Sequence, residues 1–277
     1  MKHDPRITPC RDGIAARSLE GILEAEVYLD PRAMSCVTAA TAIRAAPDAN
    51  AEQMDQLLFG ERFEVLEEEG GWLFGQAARD GYVGFVEAVA LGPVAPMPTH
   101  RVSGLRTYAF AEASIKSRAS GPYSINSLVA VEAVEGKLAK VAGGGWMTAD
   151  HLSAIGHFEE DWAGVAERFV GAPYLWGGRE SLGLDCSGLV QQALFACGRA
   201  CPRDTDQQQE MGEEIAAADF GRGDLVFWNG HVAIGLGDGR IVHANGHHMA
   251  TAVEPLSEAI ARIDGAGCGQ PTGYRRL

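Results

Sequence analysis

The sequence predicts an α+β chain in which two short β-rich segments precede a domain of helices packed on an antiparallel sheet. Changes in residue pattern along the chain carry this prediction. Short apolar runs separated by turns fill residues 37–91, a proline-rich stretch follows at 92–98, and a weaker version of the same pattern occupies 101–152. After residue 155 the apolar residues adopt helical spacing and then return to strand-like runs.

The first half of the chain is expected to consist of an arm and two small barrels. Residues 1–36 form the arm, where apolar residues fall only loosely at helical spacing. Residues 37–95 are predicted to form a β-barrel, because β-branched and aromatic residues alternate between glycine-containing turns. Residues 96–152 are interpreted as a degenerate repeat of that barrel, with Trp146 at the position of Tyr82.

The last predicted domain, residues 153–277, begins with two helices. Apolar residues from Phe158 to Phe169 share one helical face, and a second face follows Cys186 and ends before Gly198. Three strands are predicted next, at residues 224–228, 231–236 and 240–244. Two helices followed by an antiparallel sheet is an α+β order.

Composition and charge exclude several classes of protein. The 277 residues are 46% hydrophobic and 22% charged, which is typical of a globular protein. A formal net charge of -14 argues against a nucleic-acid partner, because phosphate contacts need clustered Lys and Arg. No apolar run reaches the roughly 18 residues of a membrane span, and the first twenty residues lack the apolar core of a secretory signal. We therefore expect no membrane partner, no obligate protein partner and a cytoplasmic location.

Cys186 is the candidate nucleophile, because it stands at the start of the second predicted helix. A cysteine attacks as the thiolate, which the positive end of a helix stabilises. Asp185 can cap the helix, but its charge opposes thiolate formation. His231 is the expected source of positive charge and of the proton for the leaving amine. The other five cysteines are scattered and lack zinc-like spacing, so neither a metal nor a cofactor is expected.

A hairpin decides whether His231 has a partner to orient it. If Gly237-Asp238-Gly239 is a three-residue loop, Leu236 pairs with Arg240 and His243 becomes a diagonal neighbour of His231 on the same face. A two-residue loop would shift the register by one and separate the two rings. The alternative orienters are then His247 and His248.

Candidate substrate-binding residues lie upstream and downstream of Cys186. Tyr174 and Trp176 can form the wall of a cleft beside a pair of glycines that lets backbone approach a ligand. Arg203 is a natural partner for a substrate carboxylate, because its guanidinium can make paired hydrogen bonds.

These residues and their motifs resemble the NlpC/p60 family of bacterial cell-wall cysteine peptidases, which has a papain-like fold. The resemblance runs from about Trp162 to Arg275 and rests on several motifs together: Tyr174-Leu175-Trp176-Gly177-Gly178, Asp185-Cys186-Ser187-Gly188-Leu189-Val190, Pro202-Arg203-Asp204-Thr205, Gly223-Asp224-Leu225-Val226-Phe227-Trp228, Gly230-His231-Val232-Ala233-Ile234 and Ile241-Val242-His243-Ala244. It implies that Cys186, His231 and His243 form a catalytic triad, with Tyr174 near the developing oxyanion.

The two upstream β segments resemble bacterial SH3-type (SH3b) domains, and the first is similar to those of family members that recycle murein peptides. That subgroup cleaves the bond between γ-D-glutamate and a diamino acid such as diaminopimelate, in peptides with a free N-terminal L-alanine. The implied substrate is a murein tripeptide or another short peptidoglycan peptide. Two alternatives remain: an exported hydrolase of intact wall peptides, and a non-catalytic peptidoglycan-binding protein.

The resemblance also assigns substrate-binding positions. Those expected around the L-Ala-γ-D-Glu part are Trp176, Asp185, Ser187, Arg203 and Thr205, with Arg203 facing the D-glutamate α-carboxylate and Thr205 standing where the subgroup commonly has serine. The first SH3b domain is expected to supply Tyr82 and an acidic residue that pairs with the free amine. Glu52 is the chosen acid, and Glu61 competes with it.

Overall fold

A computed structural model describes residues 3–277, and the chain separates into two compact units, Met1–Ile155 and Gly156–Leu277. The division falls three residues after the predicted start of the last domain. No helix among the described residues is long and apolar enough to cross a membrane.

The N-terminal arm forms a small sheet. Its strands are β1 (Cys10–Arg11), β2 (Ile14–Ala16) and β3 (Val27–Leu29). Ala16 and Leu29 pack with residues of the adjacent sheet. The arm is shorter than predicted, because the strand that starts at residue 32 already pairs with the first barrel.

The first barrel is a seven-stranded sheet. Its strands are β4 (Arg32–Cys36), β5 (Ala40–Arg44), β6 (Gln53–Leu58), β7 (Arg62–Glu69), β8 (Trp72–Ala77), β9 (Val83–Glu87) and β10 (Leu91–Gly92). Their order is β10-β4-β7-β8-β9-β5-β6, and a 3₁₀ helix at Ala88–Ala90 precedes β10. Alternate residues of these strands meet in a core that contains Ile43, Phe63 and Val86.

The second β segment pairs its strands in a similar order, but in two sheets of three and five strands. Its strands are β11 (His100–Val102), β12 (Arg106–Phe110), β13 (Ala119–Ser124), β14 (Leu128–Val129), β15 (Val131–Glu135), β16 (Leu138–Val141), β17 (Gly145–Thr148) and β18 (Leu152–Ala154). β18 pairs with β11, β11 with β14, β15 with β16, β16 with β17, β17 with β12, and β12 with β13. In each β segment a 3₁₀ helix follows the penultimate strand, and Phe85 and Trp146 each lie three residues before that helix. Trp146 therefore corresponds to Phe85, and the prediction that it corresponds to Tyr82 was wrong.

The second unit has an α+β fold, as predicted. Its helices are α1 (Trp162–Glu167), α2 (Cys186–Ala196), α3 (Thr205–Gln208) and α4 (Leu256–Gly265). Its strands are β19 (Arg179–Glu180), β20 (Gly183–Leu184), β21 (Glu213–Glu214), β22 (Asp224–Trp228), β23 (His231–Gly235), β24 (Arg240–Asn245), β25 (Ala250–Pro255) and β26 (Gly273–Arg276). The main sheet is antiparallel in the order β21-β26-β22-β23-β24-β25. The two predicted helices and three predicted strands are present; α3, α4, β19, β20, β21, β25 and β26 were not predicted.

Both ends of α2 are fixed by local sequence. Asp185 caps its first turn, as expected from its position before Cys186. At the other end Gly198 adopts a left-handed conformation with φ 70°. The N–H groups of Gly198 and Arg199 then bond to the carbonyls of Phe195 and Leu194, the pattern of a Schellman motif. The start of α2, and with it Cys186, is thereby held in place.

Candidate active site

The Asp185 carboxylate is the centre of a buried hydrogen-bond network at the start of α2. Its Oδ1 accepts from the N–H of Gly188 at 2.8 Å, and its Oδ2 accepts from the N–H of Gly177 at 2.8 Å. Ser187 Oγ donates to Oδ1 at 3.2 Å. Arg203 donates to the same carboxylate from Nη1 and Nη2, at 3.0 and 2.6 Å. We call these five residues the Asp185 network.

Arg203 supplies the positive charge that Asp185 requires. Its side chain is only 1% exposed, and Nη1 also donates to Ser187 Oγ at 2.7 Å. The sequence analysis expected protonated His231 to offset Asp185, whereas the structure places the always-charged guanidinium of Arg203 there. The role of Arg203 as anchor for a substrate carboxylate stays a prediction, and the guanidinium already faces an internal carboxylate.

Glycines allow the loop before α2 to approach the helix closely. A Cβ on Gly188 would lie 2.3 Å from the carbonyl oxygen of Gly178, and one on Gly178 would lie 2.6 Å from that of Gly183. Real Cβ atoms do not approach backbone so closely. Gly178 was expected to let backbone approach a ligand, and the structure shows that it and Gly188 let loop and helix pack closely beside Asp185.

The Cys186 thiol is buried beside the strand that carries His231. Burial raises its pKa to about 12, and the charge of Asp185 adds to this effect. Three groups act in the opposite direction: hydrogen bonds from the backbone N–H groups of Val232 and Ser187, and the charge of Arg203. The bond from Val232 places the sulfur next to the start of β23. In the resting protein Cys186 is therefore a neutral thiol.

The hairpin between β23 and β24 has the predicted three-residue loop. Leu236 N–H bonds to Arg240 O at 2.9 Å, and Ile234 pairs with Val242. This register places the two histidines on one face, and their rings meet, with His231 Nε2 2.8 Å from His243 Nδ1. The prediction of the register is confirmed.

A chain of polar groups continues beyond the two histidines. His243 Nε2 lies 2.7 Å from Glu254 Oε1 on β25, and the same oxygen accepts a hydrogen bond from Arg262 on α4. His243 is fully buried, and Glu254 is nearly so. We call His231, His243, Glu254 and Arg262 the histidine relay.

The relay fixes which ring nitrogens carry protons. Glu254 accepts a hydrogen bond from Arg262 and has a pKa lowered to about 2, because hydrogen bonds from His243 and Arg262 outweigh its burial, so it is an acceptor. His243 must then donate from Nε2 and accept at Nδ1, and His231 must donate from Nε2. This leaves Nδ1 of His231 free of a proton. The relay can therefore present a basic nitrogen to an acidic hydrogen, which is what a thiol nucleophile needs.

His231 is neutral in the resting protein. Burial lowers its pKa to about 3; a proton on His243 would act in the same direction, as does the positive charge of Arg262. Its ring also stacks at a tilt on Trp228, with centroids 5.7 Å apart. The sequence analysis expected an imidazolium here, but the structure favours a neutral imidazole beside a neutral thiol, a pair suited to general-base catalysis.

Tyr174 and Trp176 lie on the loop before β19. Tyr174 N–H bonds to Met249 O at 3.0 Å, which fixes the loop against the segment that precedes β25. Burial and the nearby Cys186 and Asp185 raise the pKa of Tyr174, so its hydroxyl remains a donor. Trp176 is 59% exposed and can contact a ligand. Thr205 is the first residue of α3.

The candidate residues of the first barrel differ in burial. Tyr82 is buried in the barrel's hydrophobic core cluster, whereas Glu52 is exposed just before β6. Glu61, the competing acid, is buried and accepts hydrogen bonds from Leu58 N–H at 2.9 Å and Arg79 Nη1 at 2.8 Å. Their expected contact with substrate stays a prediction.

The alternative orienters are not used by His231. His248 Nδ1 lies 3.0 Å from Asn245 Oδ1, and His247 packs edge-on against His248. Ligand atoms of His243, His248 and Glu254 do lie within 4.8 Å of one another, a spacing that a metal could bridge. Hydrogen bonds already engage one ring nitrogen of each histidine, however: His243 Nε2 with Glu254 and His248 Nδ1 with Asn245.

Sequence reasoning missed Glu254 and Arg262. Glu254 lies two residues beyond Ala252, the partner of His243 across β24 and β25, so it shares the face of His243. The alternation within residues 250–255 was the available signal. Arg262 lies on α4, and only the packing of that helix brings it to Glu254.

Comparisons with known proteins agree with this geometry. Residues 171–262 match the model of the NlpC/P60 family, and residues 43–91 match that of the bacterial dipeptidyl-peptidase Sh3 domain. A crystal structure of an NlpC/P60 family protein from Bacillus cereus superimposes with a TM-score of 0.77 and 19% identity, over 88% of this chain and 99% of that one. That likeness concerns the fold.

Three curated proteins show similarity in sequence. The chain is 26% identical to a γ-D-glutamyl-L-lysine dipeptidyl-peptidase of Bacillus subtilis, over 74% of this chain and 76% of that protein. It is 28% identical to dipeptidyl-peptidase 6 of Lysinibacillus sphaericus, over 73% and 83%. It is 33% identical to peptidoglycan endopeptidase RipB of Mycobacterium tuberculosis, over 32% and 44%.

The second unit is thus a peptidase domain of the cysteine type. More specifically, the chain carries an NlpC/P60 domain together with one bacterial SH3 domain. The family models match one SH3 domain, not the two that the sequence analysis expected.

Proposed function

We propose that this protein is a cysteine endopeptidase that hydrolyses the γ-D-glutamyl-L-diamino acid bond of short peptidoglycan peptides. The observation that carries the proposal is the histidine relay, which leaves Nδ1 of His231 unprotonated. His231 lies next to Val232, whose backbone N–H bonds to Cys186. Two relatives that match over about three quarters of the chain are both named as dipeptidyl-peptidases, which supports this substrate class.

In the first step Cys186 is acylated. His231 Nδ1 takes the thiol proton as the sulfur attacks the γ-carbonyl carbon of D-glutamate. The Tyr174 hydroxyl is proposed to donate to the oxyanion that forms. His231 then gives the proton to the leaving amine, the C–N bond breaks, and a thioester remains on Cys186. The charge on His231 is transient, and Glu254 stabilises it through His243.

In the second step water hydrolyses the thioester. His231 Nδ1 accepts a proton from the water as its oxygen attacks the carbonyl carbon. The C–S bond breaks, the sulfur recovers the proton, and a dipeptide with a free γ-carboxyl is released. The site begins and ends as a neutral thiol and a neutral imidazole, in accord with their shifted pKa values.

Substrate recognition is proposed to involve both ends of the dipeptide. Trp176 and Thr205 are candidates for contact with the L-Ala-γ-D-Glu part, and the Asp185 network forms the base beneath it. Glu52 or Glu61, with Tyr82, is proposed to select a free N-terminal amine. A carboxylate that pairs with an ammonium would favour free peptides over sugar-linked wall. A role in murein recycling follows from that preference.

We also propose that residues 96–152 form a second, diverged SH3b barrel. The observation that supports it is the equivalent strand pairing of β4–β10 and β11–β18. Divergence in sequence with retention of connectivity would account for a family match limited to residues 43–91.

The test uses L-Ala-γ-D-Glu-L-Lys and the same tripeptide with diaminopimelate. We expect the wild-type protein to release L-Ala-D-Glu and Cys186→Ala to release none, with an unchanged unfolding midpoint. Cleavage by Cys186→Ala at the wild-type rate would exclude the mechanism. Glu52→Gln, Glu61→Gln and Tyr82→Phe should each be compared on free and N-acetylated tripeptide, and only the acid that binds the amine should reduce the preference for the free form.

An exported wall hydrolase is the second candidate. An alignment over 32% of the chain gives 33% identity to a peptidoglycan endopeptidase. The longer alignment with a dipeptidyl-peptidase gives 26% identity. Faster cleavage of N-acetylated peptide or intact peptidoglycan than of free tripeptide would favour this candidate over the first.

A further inference from the structure

A cavity opens beside His231 that the proposed mechanism does not use. Its volume is about 250 Å³, and it lies where the turn before β23, the segment after β24 and the end of α4 meet. Its lining includes Trp228, His231, Asn245 and Arg262. Within the described part of the chain, neither Cys186 nor the residues proposed to hold the dipeptide line it.

Among the described residues, the lining of the cavity contains a cation and no carboxylate. Arg262 contributes a guanidinium, and no aspartate or glutamate among residues 3–277 lines the cavity. Two buried N–H groups of its lining residues, Arg262 Nε and Trp228 Nε1, have no hydrogen-bond partner in the described structure. Buried donors normally have partners, which points to an acceptor that arrives with a ligand.

The position of the cavity identifies the part of the substrate it would receive. His231 Nδ1 gives its proton to the leaving amine, so the leaving amino acid must lie in contact with His231, on the side of the scissile bond opposite the acyl group. The cavity borders His231 on a side lined by neither Cys186 nor Tyr174. It is therefore suited to the diamino acid.

We propose that this cavity is a carboxylate-binding subsite for the leaving diamino acid, with Arg262 and Trp228 as its donors. The inference rests on the proposed function and deepens it. A carboxylate is the anion that a diamino acid offers, and paired hydrogen bonds from a guanidinium suit it. The carboxylate can be the α-carboxylate of a C-terminal residue or the distal carboxylate of diaminopimelate. An ammonium group alone finds no acidic partner in the lining.

Four peptides distinguish the two sources. They are L-Ala-γ-D-Glu-L-Lys, its C-terminal amide, L-Ala-γ-D-Glu-meso-diaminopimelate, and that peptide with its α-carboxyl amidated. The ratio of kcat/KM between the two lysine peptides measures the α-carboxylate. The ratio between the two amides measures the distal carboxylate. We expect at least one ratio to favour the carboxylate by about tenfold to a hundredfold in the full-length wild-type protein, as for hydrogen bonds to a charged group.

Arg262→Gln should reduce that ratio towards one. Because Arg262 also bonds to Glu254, the variant is expected to lower kcat on all four peptides as well, and the ratio separates the two roles. Glu254→Gln is the matched control: it should lower turnover on all four peptides while keeping the ratio. Trp228→Phe retains the ring beside His231 but removes the indole N–H, and it should lower the ratio by a smaller factor than Arg262→Gln.

The outcomes separate this inference from the proposed function. If the wild-type protein cleaves all four peptides equally well, the subsite is refuted while the proposed function stands. A preference that survives unchanged in Arg262→Gln refutes the assignment of Arg262. If the wild-type protein cleaves none of the four, the proposed function itself has failed, and the inference fails with it.

Discussion

Two polar networks adjoin Cys186, and they are built in different ways. The Asp185 network gathers residues 177–203 around the start of α2, with a guanidinium and a carboxylate that neutralise each other. The histidine relay crosses three adjacent elements, β24, β25 and α4, to support one ring on β23. The difference teaches that the first network holds charge in balance, whereas the second sets the position of a proton. Substitutions in the first network should therefore reduce stability, whereas substitutions in the second should reduce kcat.

The largest expected effect is the loss of Arg203. Arg203→Met leaves the Asp185 carboxylate buried without its cation, and breaking a buried pair in this way costs about 3–5 kcal/mol of folding free energy. Urea unfolding, with hydrogen exchange of α2 as the local measure, tests this. In the double variant Asp185→Asn with Arg203→Met the unpaired charge is gone, so much of the stability should return. A single variant as stable as the wild type would show that the pair is not what holds the start of α2.

Loss of His243 should affect rate more than folding. His243→Ala removes the group that orients His231 and fixes its proton, and general acid-base catalysis of this kind contributes about 10²- to 10⁴-fold. We expect kcat on the lysine tripeptide to fall about a hundredfold with little change in KM. The control is His248→Ala, which removes a nearby ring outside the relay and should change kcat less than about twofold. Equal losses in the two variants would contradict the relay.

A smaller effect is expected at Glu254. In Glu254→Gln the amide oxygen can still accept from His243, but the negative charge that stabilises protonated His231 is gone. The pKa of His231 falls further without that charge, so the ring becomes a weaker base. We expect kcat to fall about tenfold, because only part of the acid-base contribution is lost.

Glu254→Asp gives Glu254→Gln its matched comparison. It restores the charge at a shorter reach, and its kcat should lie between those of Glu254→Gln and the wild type. If the aspartate variant is no faster than the glutamine variant, the charge of Glu254 has no part in the rate.

The same contrast explains which parts of the site the sequence could predict. The Asp185 network lies in a cap, a helix start and short loops, so residues close in sequence determine it, and Asp185, Ser187 and Arg203 were all identified. Its internal pairing was missed, because spacing along the chain does not show whether Arg203 turns towards a ligand or towards Asp185. His243 was found because one short loop sets the register of β23 and β24.

The rest of the relay depended on contacts that local sequence does not encode. Glu254 required β25 to be recognised and its register with β24 to be known. Arg262 required the packing of α4 on the sheet. The two N-terminal β segments show the same limit: the alternation of apolar residues predicted strands in both, but only the structure revealed how those strands pair. Elements were thus predictable, and partners between distant elements were not.

A further expected effect is a loss of stability in acid that arises from the relay. The pKa of His231 is lowered from its ordinary 6.5 to about 3, so the unfolded chain binds more protons than the folded protein between those values. Stability from this group is complete above about pH 6.5 and is lost as the pH falls towards 3. Glu254, lowered from 4.5 to about 2, acts in the same direction at lower pH.

Removal of the titrating ring isolates this contribution. In His231→Gln the unfolding midpoint should decline less steeply between pH 6.5 and 4 than in the wild type, because one proton-binding group of the unfolded chain is gone. Thermal unfolding of both proteins across this range measures the two slopes. Arg203 stays charged throughout this range, so titration of its guanidinium does not affect either slope. Equal slopes in the two proteins would mean that His231 is not held neutral, and that the relay does not set its proton.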